Sequence, residues 1–548
     1  MGGVLSRQQS FCNFISHFCA KAVSAGLETA VNPRKSAIFG MVEAEKTVPD
    51  DFGSQVKSAF FWRSGSQILS QLIAWSSTLI VIRVLGPASY GLLAMTQVLV
   101  ALLSALAGYG FARALVQAES VTPKLIRQTV GLLLLLNLSM AAAQIAIAPL
   151  MAAYYNEPLV ADILRWQVLL YLANPVMITA EVLLSRELRF KPIALVNLGT
   201  ALVGAMVALG CALAGMGVWS LVYAPIAAFW TRAIGLAIAA RLVPVPSFDF
   251  RGSRDMIVYG TTLLGSHLLV IVQTQSDVFF AGRRFDPHAI GLYSEALFMA
   301  QLLINKFIPS LNDVAFPAYT QIQKDAAAVR WNFLKSLRLI FLVAAPVFIG
   351  LAVTAEPAIV TLIGRKWVES APYVTMLALA MPFMAFHALL APLNNALGRP
   401  GLTVQSNLIG VIVFPLCFLI GLNDSVRAAI HAATGLDGEM TGVAMAWLIA
   451  APLLAWGSGL LTRRIVGFSF ADVIRAIGVG MVPAVIMGII VAIIARILPP
   501  LPAPVTLAIL AASGAILYMA QLWIFNRPAI DEVLSIILRR KAQAAPAT

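Results

Sequence analysis

Fourteen continuously apolar stretches of about 20 residues succeed one another along the chain, at 60–84, 89–113, 127–151, 159–183, 193–214, 217–241, 257–282, 289–312, 338–355, 370–396, 402–422, 438–461, 474–497 and 503–525. Each is long enough to cross a hydrocarbon core of roughly 30 Å as a helix. The pattern therefore predicts an all-α polytopic membrane protein with about 14 transmembrane helices. Strands of a membrane β-barrel would instead alternate apolar and polar positions over about ten residues. That alternation is missing from these runs.

The positions that interrupt the apolar runs recur. Ten of the 39 positions from Gly65 to Leu103 carry the same residue 200 positions later, including Arg83, Pro87, Gly91 and Leu92 against Arg283, Pro287, Gly291 and Leu292. Six helices separate the two copies, and an even number returns the second to the membrane in the same orientation. The expected architecture is thus two parallel six-helix lobes related by a pseudo-two-fold axis along the membrane normal, with substrate bound between them near the midplane. The N-lobe spans 57–242 and the C-lobe 256–461, joined by a linker around Pro244-Val245-Pro246-Ser247, and two extra helices follow at 474–525. Residues 1–56 and 526–548 read as cytoplasmic tails, the first of them flexible, with Met41 as an alternative start.

Composition agrees with the pattern: 60% hydrophobic and 11% charged, where a soluble domain carries about a quarter charged residues. The net charge of +13 does not imply nucleic acid, because the basic residues follow the loops and form no single patch. With the N-terminus inside, the cytoplasmic loops and C-terminal tail hold 21 lysines and arginines and the opposite loops 7. By the positive-inside rule, this places both termini in the cytoplasm. Cys12, Cys19, Cys211 and Cys417 have neither metal-ligand nor disulfide spacing, and the five histidines are dispersed. No Gly-Lys dipeptide occurs, so the phosphate-cradling P-loop is missing. The longest loop, about 25 residues around 313–337, cannot house a soluble catalytic domain. The expectation is a protein that is not an enzyme and needs no metal or cofactor.

What remains is charge inside the membrane, which costs about 2.5–3.5 kcal/mol per residue near the bilayer centre. Counting 1.5 Å per residue from the helix ends, Arg165, Asp277 and Glu295 lie roughly 9 Å inside the outer boundary, with Lys306 nearer the inner side. Arg83, Arg283 and Arg284 break the positive-inside bias, and the first two recur in the repeat. Arg63, Arg113, Glu181 and Asp313 sit at inner helix ends, where charged side chains reach water. Gln67, Gln71, Gln273 and Gln275, with His267 opposite Gln67 in the repeat, suit the lining of a sugar-compatible cavity; amides of this kind also simply bond neighbouring helices. Interhelical pairing is the equivalent plain role for Arg165, Asp277, Glu295 and Lys306.

Ser64-Gly65-Ser66-Gln67, Ile82 through Met95 (Ile-Arg-Val-Leu-Gly-Pro-Ala-Ser-Tyr-Gly-Leu-Leu-Ala-Met), Gly108-Tyr109-Gly110-Phe111 and Ala114-Leu115-Val116-Gln117 resemble the Wzx-type polysaccharide flippases. These belong to the multidrug/oligosaccharidyl-lipid/polysaccharide exporter superfamily. The resemblance implies a transporter that moves undecaprenyl-diphosphate-linked oligosaccharides across the membrane for surface polysaccharide synthesis. Its partners would be that lipid-linked oligosaccharide, membrane lipids and the polysaccharide polymerase and export machinery. In the bacterial inner membrane that this cargo implies, an anionic headgroup needs basic side chains. The expected mechanism is therefore alternating access by rocking of the lobes, with Arg83, Arg165, Arg283, Arg284 and Lys306 as headgroup contacts. Asp277 and Glu295 would couple transport to a proton or sodium gradient. A drug/cation antiporter of the same superfamily, a peptidoglycan-precursor flippase and a membrane-embedded polysaccharide polymerase or ligase stay open as alternatives. The polymerase would need a large periplasmic loop, which the chain lacks.

Overall fold

The computed structural model describes residues 52–106, 122–187, 189–242, 245–249, 254–436 and 438–527, without the side chains of 52–64, 254–267, 307–311 and 313–314. The expected tails, up to residue 51 and from 528 onward, lie outside these residues, as does the stretch Gly108–Gln117. Among the described residues all regular structure is helical. Seven described helices precede the second repeat copy: α1 (Phe52–Val84), α2 (Pro87–Leu106), α3 (Pro123–Tyr155), α4 (Pro158–Gln167), α5 (Leu169–Arg186), α6 (Phe190–Leu213) and α7 (Trp219–Ala240). Ten follow: α8 (Arg254–Gly282), α9 (Pro287–Ile322), α10 (Ala326–Val353), α11 (Ala355–Leu362), α12 (Ala371–Ala396), α13 (Pro400–Gly421), α14 (Asp424–Thr434), α15 (Thr441–Val466), α16 (Phe470–Ile497) and α17 (Ala503–Phe525).

Twelve spans among the described residues are long and apolar enough to cross a membrane, α4 and α5 together forming one of them. Helices α8 and α9 are not in this set. The described apolar part of α8 is only Leu268–Gly282, and α9 carries Glu295, Lys306 and Asp313 along its length. The membrane-facing character is nonetheless general. Ile68, Leu72, Met206, Ile474, Ile497 and Phe525 all present large apolar side chains outward, an arrangement stable in lipid and not in water.

Helix ends follow local chemistry. Pro87, Pro158, Pro287 and Pro400 open their helices, where the missing N–H leaves no intrahelical bond unmade. Ser469 and Asp472 form a reciprocal capping box at α16. Gly435 and Gly467, with φ of 67° and 74°, close α14 and α15 in the left-handed conformation that glycine adopts without cost.

The described residues fall into two compact units, one within 1–85, 103–153 and 157–264, the other within 86–102, 154–156 and 265–548. In the first, α6 packs along α1 and α7, and α7 along α5. Its core joins Leu133, Met177, Leu184 and Leu236. Buried polar side chains bond within it: Tyr171 donates to Gln144 Oε1 at 2.8 Å, and Gln144 Nε2 donates to the Leu164 carbonyl at 2.7 Å. In the second, α12 packs against α9, α10 and α15, and α16 against α10. Phe333, Phe341, Phe386 and Leu393 centre that core, and Tyr518 of α17 donates to the Leu342 carbonyl at 2.8 Å.

Candidate functional site

The two copies of the Arg-x-x-x-Pro-x-x-x-Gly-Leu motif occupy equivalent turns. Arg83 lies in the last turn of α1 and Pro87 opens α2. Arg283 follows the end of α8, and Pro287 opens α9 behind Asp286, whose carboxylate accepts from Ala289 N at 2.8 Å. Four residues into each second helix stands the motif glycine. A Cβ on Gly91 would lie 1.7 Å from the Pro287 carbonyl oxygen, and one on Gly291 would lie 1.9 Å from that of Pro87. The helix starts therefore cross backbone to backbone, each glycine against the other copy's proline, in a contact that any side chain would block.

Beside this crossing the second unit gathers cations. The Arg283 guanidinium stands 5.2 Å from the Tyr154 ring centroid, and Tyr154 stacks on Phe279 at 4.8 Å, a geometry in which the ring face attracts the cation. Arg284 donates to the Leu422 carbonyl and to the Asp424 carboxylate at the start of α14. Arg427, one turn further on, lies 3.4 Å from the same carboxylate. Arg283 and Arg284 line a cavity of about 440 Å³ with Phe280, Leu419, Leu422 and Asn423. Three of these six residues are apolar, two are cationic and one is an amide.

The other basic candidates do not share it. Arg165 is exposed and pairs with Asp162 at 2.8 Å on the same helix. Arg83 and Lys306 are exposed on α1 and α9.

Of the carboxylates, Asp277 is the more enclosed. It is fully buried and accepts hydrogen bonds from the Tyr293 hydroxyl and from Val278 N, both at 2.7 Å. Trp447 Nε1 in turn donates to the Tyr293 oxygen at 2.7 Å. The result is a chain of neutral donors ending on an acid, and no described basic residue forms an ion pair with it. Glu295 is partly buried two positions beyond Tyr293.

One turn before Asp277, the Gln273 amide fills the space beside Gly410, where a Cβ would come within 2.1 Å of its oxygen. That amide packs one helix against another. Gln275 is partly buried on α8, and the His267 side chain lies outside the described residues.

Gln67 and Gln71 belong to a different cavity, of about 460 Å³, within the first unit. It is walled by α1, α5, α6 and α7, and its lining includes Ser70, Asn197, Thr200 and an ion pair between Glu181 and Arg232 at 2.9 Å. Glu181, expected simply to meet water at an inner helix end, thus has a guanidinium partner. Arg232, Asn197 and Thr200 are not among the residues expected from the sequence, although a signal for the last two exists. The lining positions 66, 67, 70, 71 and 74 of α1 and 193, 194, 197, 200 and 201 of α6 each repeat at the spacing of a single helix face.

A third cavity, of about 840 Å³ in the second unit, is lined by the carboxylates of Asp286, Glu356, Glu369 and Glu439. Its field repels anions.

Comparison with known proteins places these features in a family. The profile of the polysaccharide biosynthesis protein family matches residues 80–372, more than half of the chain. The succinoglycan biosynthesis transport protein ExoT of Rhizobium meliloti (strain 1021) is 24% identical over 474 residues, covering 85% of this chain and 92% of that protein. The lipopolysaccharide biosynthesis protein WzxC of Escherichia coli (strain K12) is 21% identical, over 62% of this chain and 70% of its own length. Among solved structures, the lipid II flippase MurJ in an inward closed conformation superposes with a TM-score of 0.66 at 12% identity, covering 85% of this chain and 99% of that one. An inward-facing multidrug resistance MATE family transporter of the MOP superfamily gives 0.54 at 14% identity, covering 74% and 96%. A multi-pass helical chain with the fold of these transporters and a family match across both motif copies, this protein belongs to the polysaccharide biosynthesis protein family.

Proposed function

We propose that the protein flips undecaprenyl-diphosphate-linked oligosaccharide units from the cytoplasmic to the periplasmic leaflet of the bacterial inner membrane, by alternating access of two lobes. The observation that carries this reading is the pocket at Arg283, where a guanidinium that no described carboxylate pairs adjoins Phe280, Leu419 and Leu422, with Arg284 beside it held by Asp424. A lipid diphosphate is an anionic head on an apolar tail, and its charge cannot enter hydrocarbon without cations to receive it. The names of the relatives, drawn from succinoglycan and lipopolysaccharide biosynthesis, support the same cargo. In this reading α8 and α9 complete 14 spans with both termini cytoplasmic, and the periplasmic polymerase and export machinery receive the product.

The test is the fate of the precursor. Deleting the gene should leave lipid-linked oligosaccharide accumulated on the cytoplasmic leaflet, and the wild-type chain should relieve it. The double change Arg283→Ala/Arg284→Ala should cut that relief about tenfold or more, since each charge-assisted bond contributes about 1.5–3 kcal/mol. Undiminished relief by the double variant would remove the pocket from the mechanism.

Coupling is assigned to Asp277 and Glu295, through a proton or sodium gradient. Asp277 suits the role because neutral hydrogen-bond donors hold it and no described cation compensates it, so a proton or ion can change its charge. A second reading, a drug/cation antiporter, is favoured by the four carboxylates of the 840 Å³ cavity. It predicts that expression protects cells from cationic drugs and that deletion leaves the precursor distribution unchanged.

A further inference from the structure

We infer that the cavity of the first unit receives the uncharged, hydroxyl-rich sugar portion of the cargo and excludes its diphosphate. This rests on the flippase reading and assigns a separate place to one part of the substrate. Glu181 and Arg232 face the cavity, with side chains 37% and 31% exposed, and neutralise one another at 2.9 Å. The described lining therefore carries no net charge. A diphosphate entering it would have to take Arg232 from Glu181, leaving a carboxylate beside the incoming anion.

The rest of the lining is matched to hydroxyls. Each sugar hydroxyl donates one hydrogen bond and accepts others, and the amides of Gln67 and Asn197 and the hydroxyls of Ser70 and Thr200 do both. Among the described residues, Ser70 Oγ, Thr200 Oγ1 and Arg232 Nε are buried behind this lining without a hydrogen-bond partner. The volume of about 460 Å³ lies within the roughly 300–1,000 Å³ of small-molecule sites.

The experiment uses the full chain in lipid nanodiscs, with its native cysteines replaced and Ala74→Cys, on the cavity wall, as the sole reporter. The rate of labelling by a water-soluble maleimide is read with two probes: lipid-linked oligosaccharide extracted from the host envelope, and undecaprenyl diphosphate without sugar. The first should slow labelling about fivefold or more, a difference of about 1 kcal/mol, and the second should leave it within about twofold. Glu181→Gln leaves Arg232 unpaired and should make sugar-free undecaprenyl diphosphate protective. Glu181→Gln/Arg232→Gln restores neutrality and should return the parent pattern, which also controls for misfolding of the single variant.

Equal protection of the parent by both probes would make this a diphosphate site and overturn the inference. So would absence of protection by either in a chain that still relieves precursor accumulation, since the cavity would then hold water only. The flippase reading falls separately, if deletion leaves the precursor evenly distributed between leaflets.

Discussion

Tyr293 stands between an acid and an indole, accepting from Trp447 and donating to Asp277. Its hydroxyl satisfies two buried groups at once. Tyr293→Phe should lower stability by about 1–3 kcal/mol, the cost of leaving buried partners unmade, read as a drop in Tm of the detergent-solubilised protein. An unchanged Tm would mean that water replaces the hydroxyl. Asp277→Asn keeps an acceptor for Tyr293 and should fold normally, yet it cannot exchange a proton. Gradient-driven flipping in proteoliposomes should fall about a hundredfold or more, the low end of what one positioned proton-transfer group contributes, and should lose its dependence on pH. Retention of both would remove Asp277 from coupling. The acid was legible in the sequence as a lone carboxylate in an apolar run, whereas its partners were not. Tyr293 and Trp447 are unremarked aromatics, and the Trp447 bond spans 154 positions, a distance that only the packed fold closes.

At the level of helices, the motif was readable as a repeat, but what its glycines pack against was not. Gly91→Ala should force the starts of α2 and α9 apart, because the new methyl would sit 1.7 Å from a carbonyl oxygen that belongs to rigid backbone. Folded yield by gel filtration should fall several-fold, consistent with the 1–3 kcal/mol or more of overpacking. Gly86→Ala, which has nothing within 4 Å of the added methyl, should match the parent. Equal yields from both variants would show that the crossing yields easily. The apolar windows also passed over α14, since its sequence DSVRAAIHAAT buries no residue. Local signals mark it all the same: Asn423 accepts from Ser425 N at its start, and Gly435 closes its end. Hydropathy finds what lipid covers, so a short helix outside the apolar runs needs its caps to be recognised.

Across the molecule, helix content and spacing were legible because a bilayer permits few alternatives to the long apolar helix. Packing was less so: Gly86–Leu102 joins the compact unit of 265–548, a long-range outcome that no local window encodes. Orientation remains a question of charge, and it is open to direct measurement. A green fluorescent protein fused after residue 548 should fluoresce, while alkaline phosphatase at that point stays inactive and becomes active when inserted at Arg284 between α8 and α9. The reverse pattern would invert the topology and place Arg283 and Arg284 on the cytoplasmic side. The crossing of Gly91 and Gly291 has an evolutionary meaning as well. Residue i of one copy meets residue j of the other, and j meets i, which is the signature of a contact between identical partners. A gene duplication that fused two such partners would have inherited their mutual fit ready made, and neither copy could afterwards change its glycine or the backbone it abuts without an answering change in its twin.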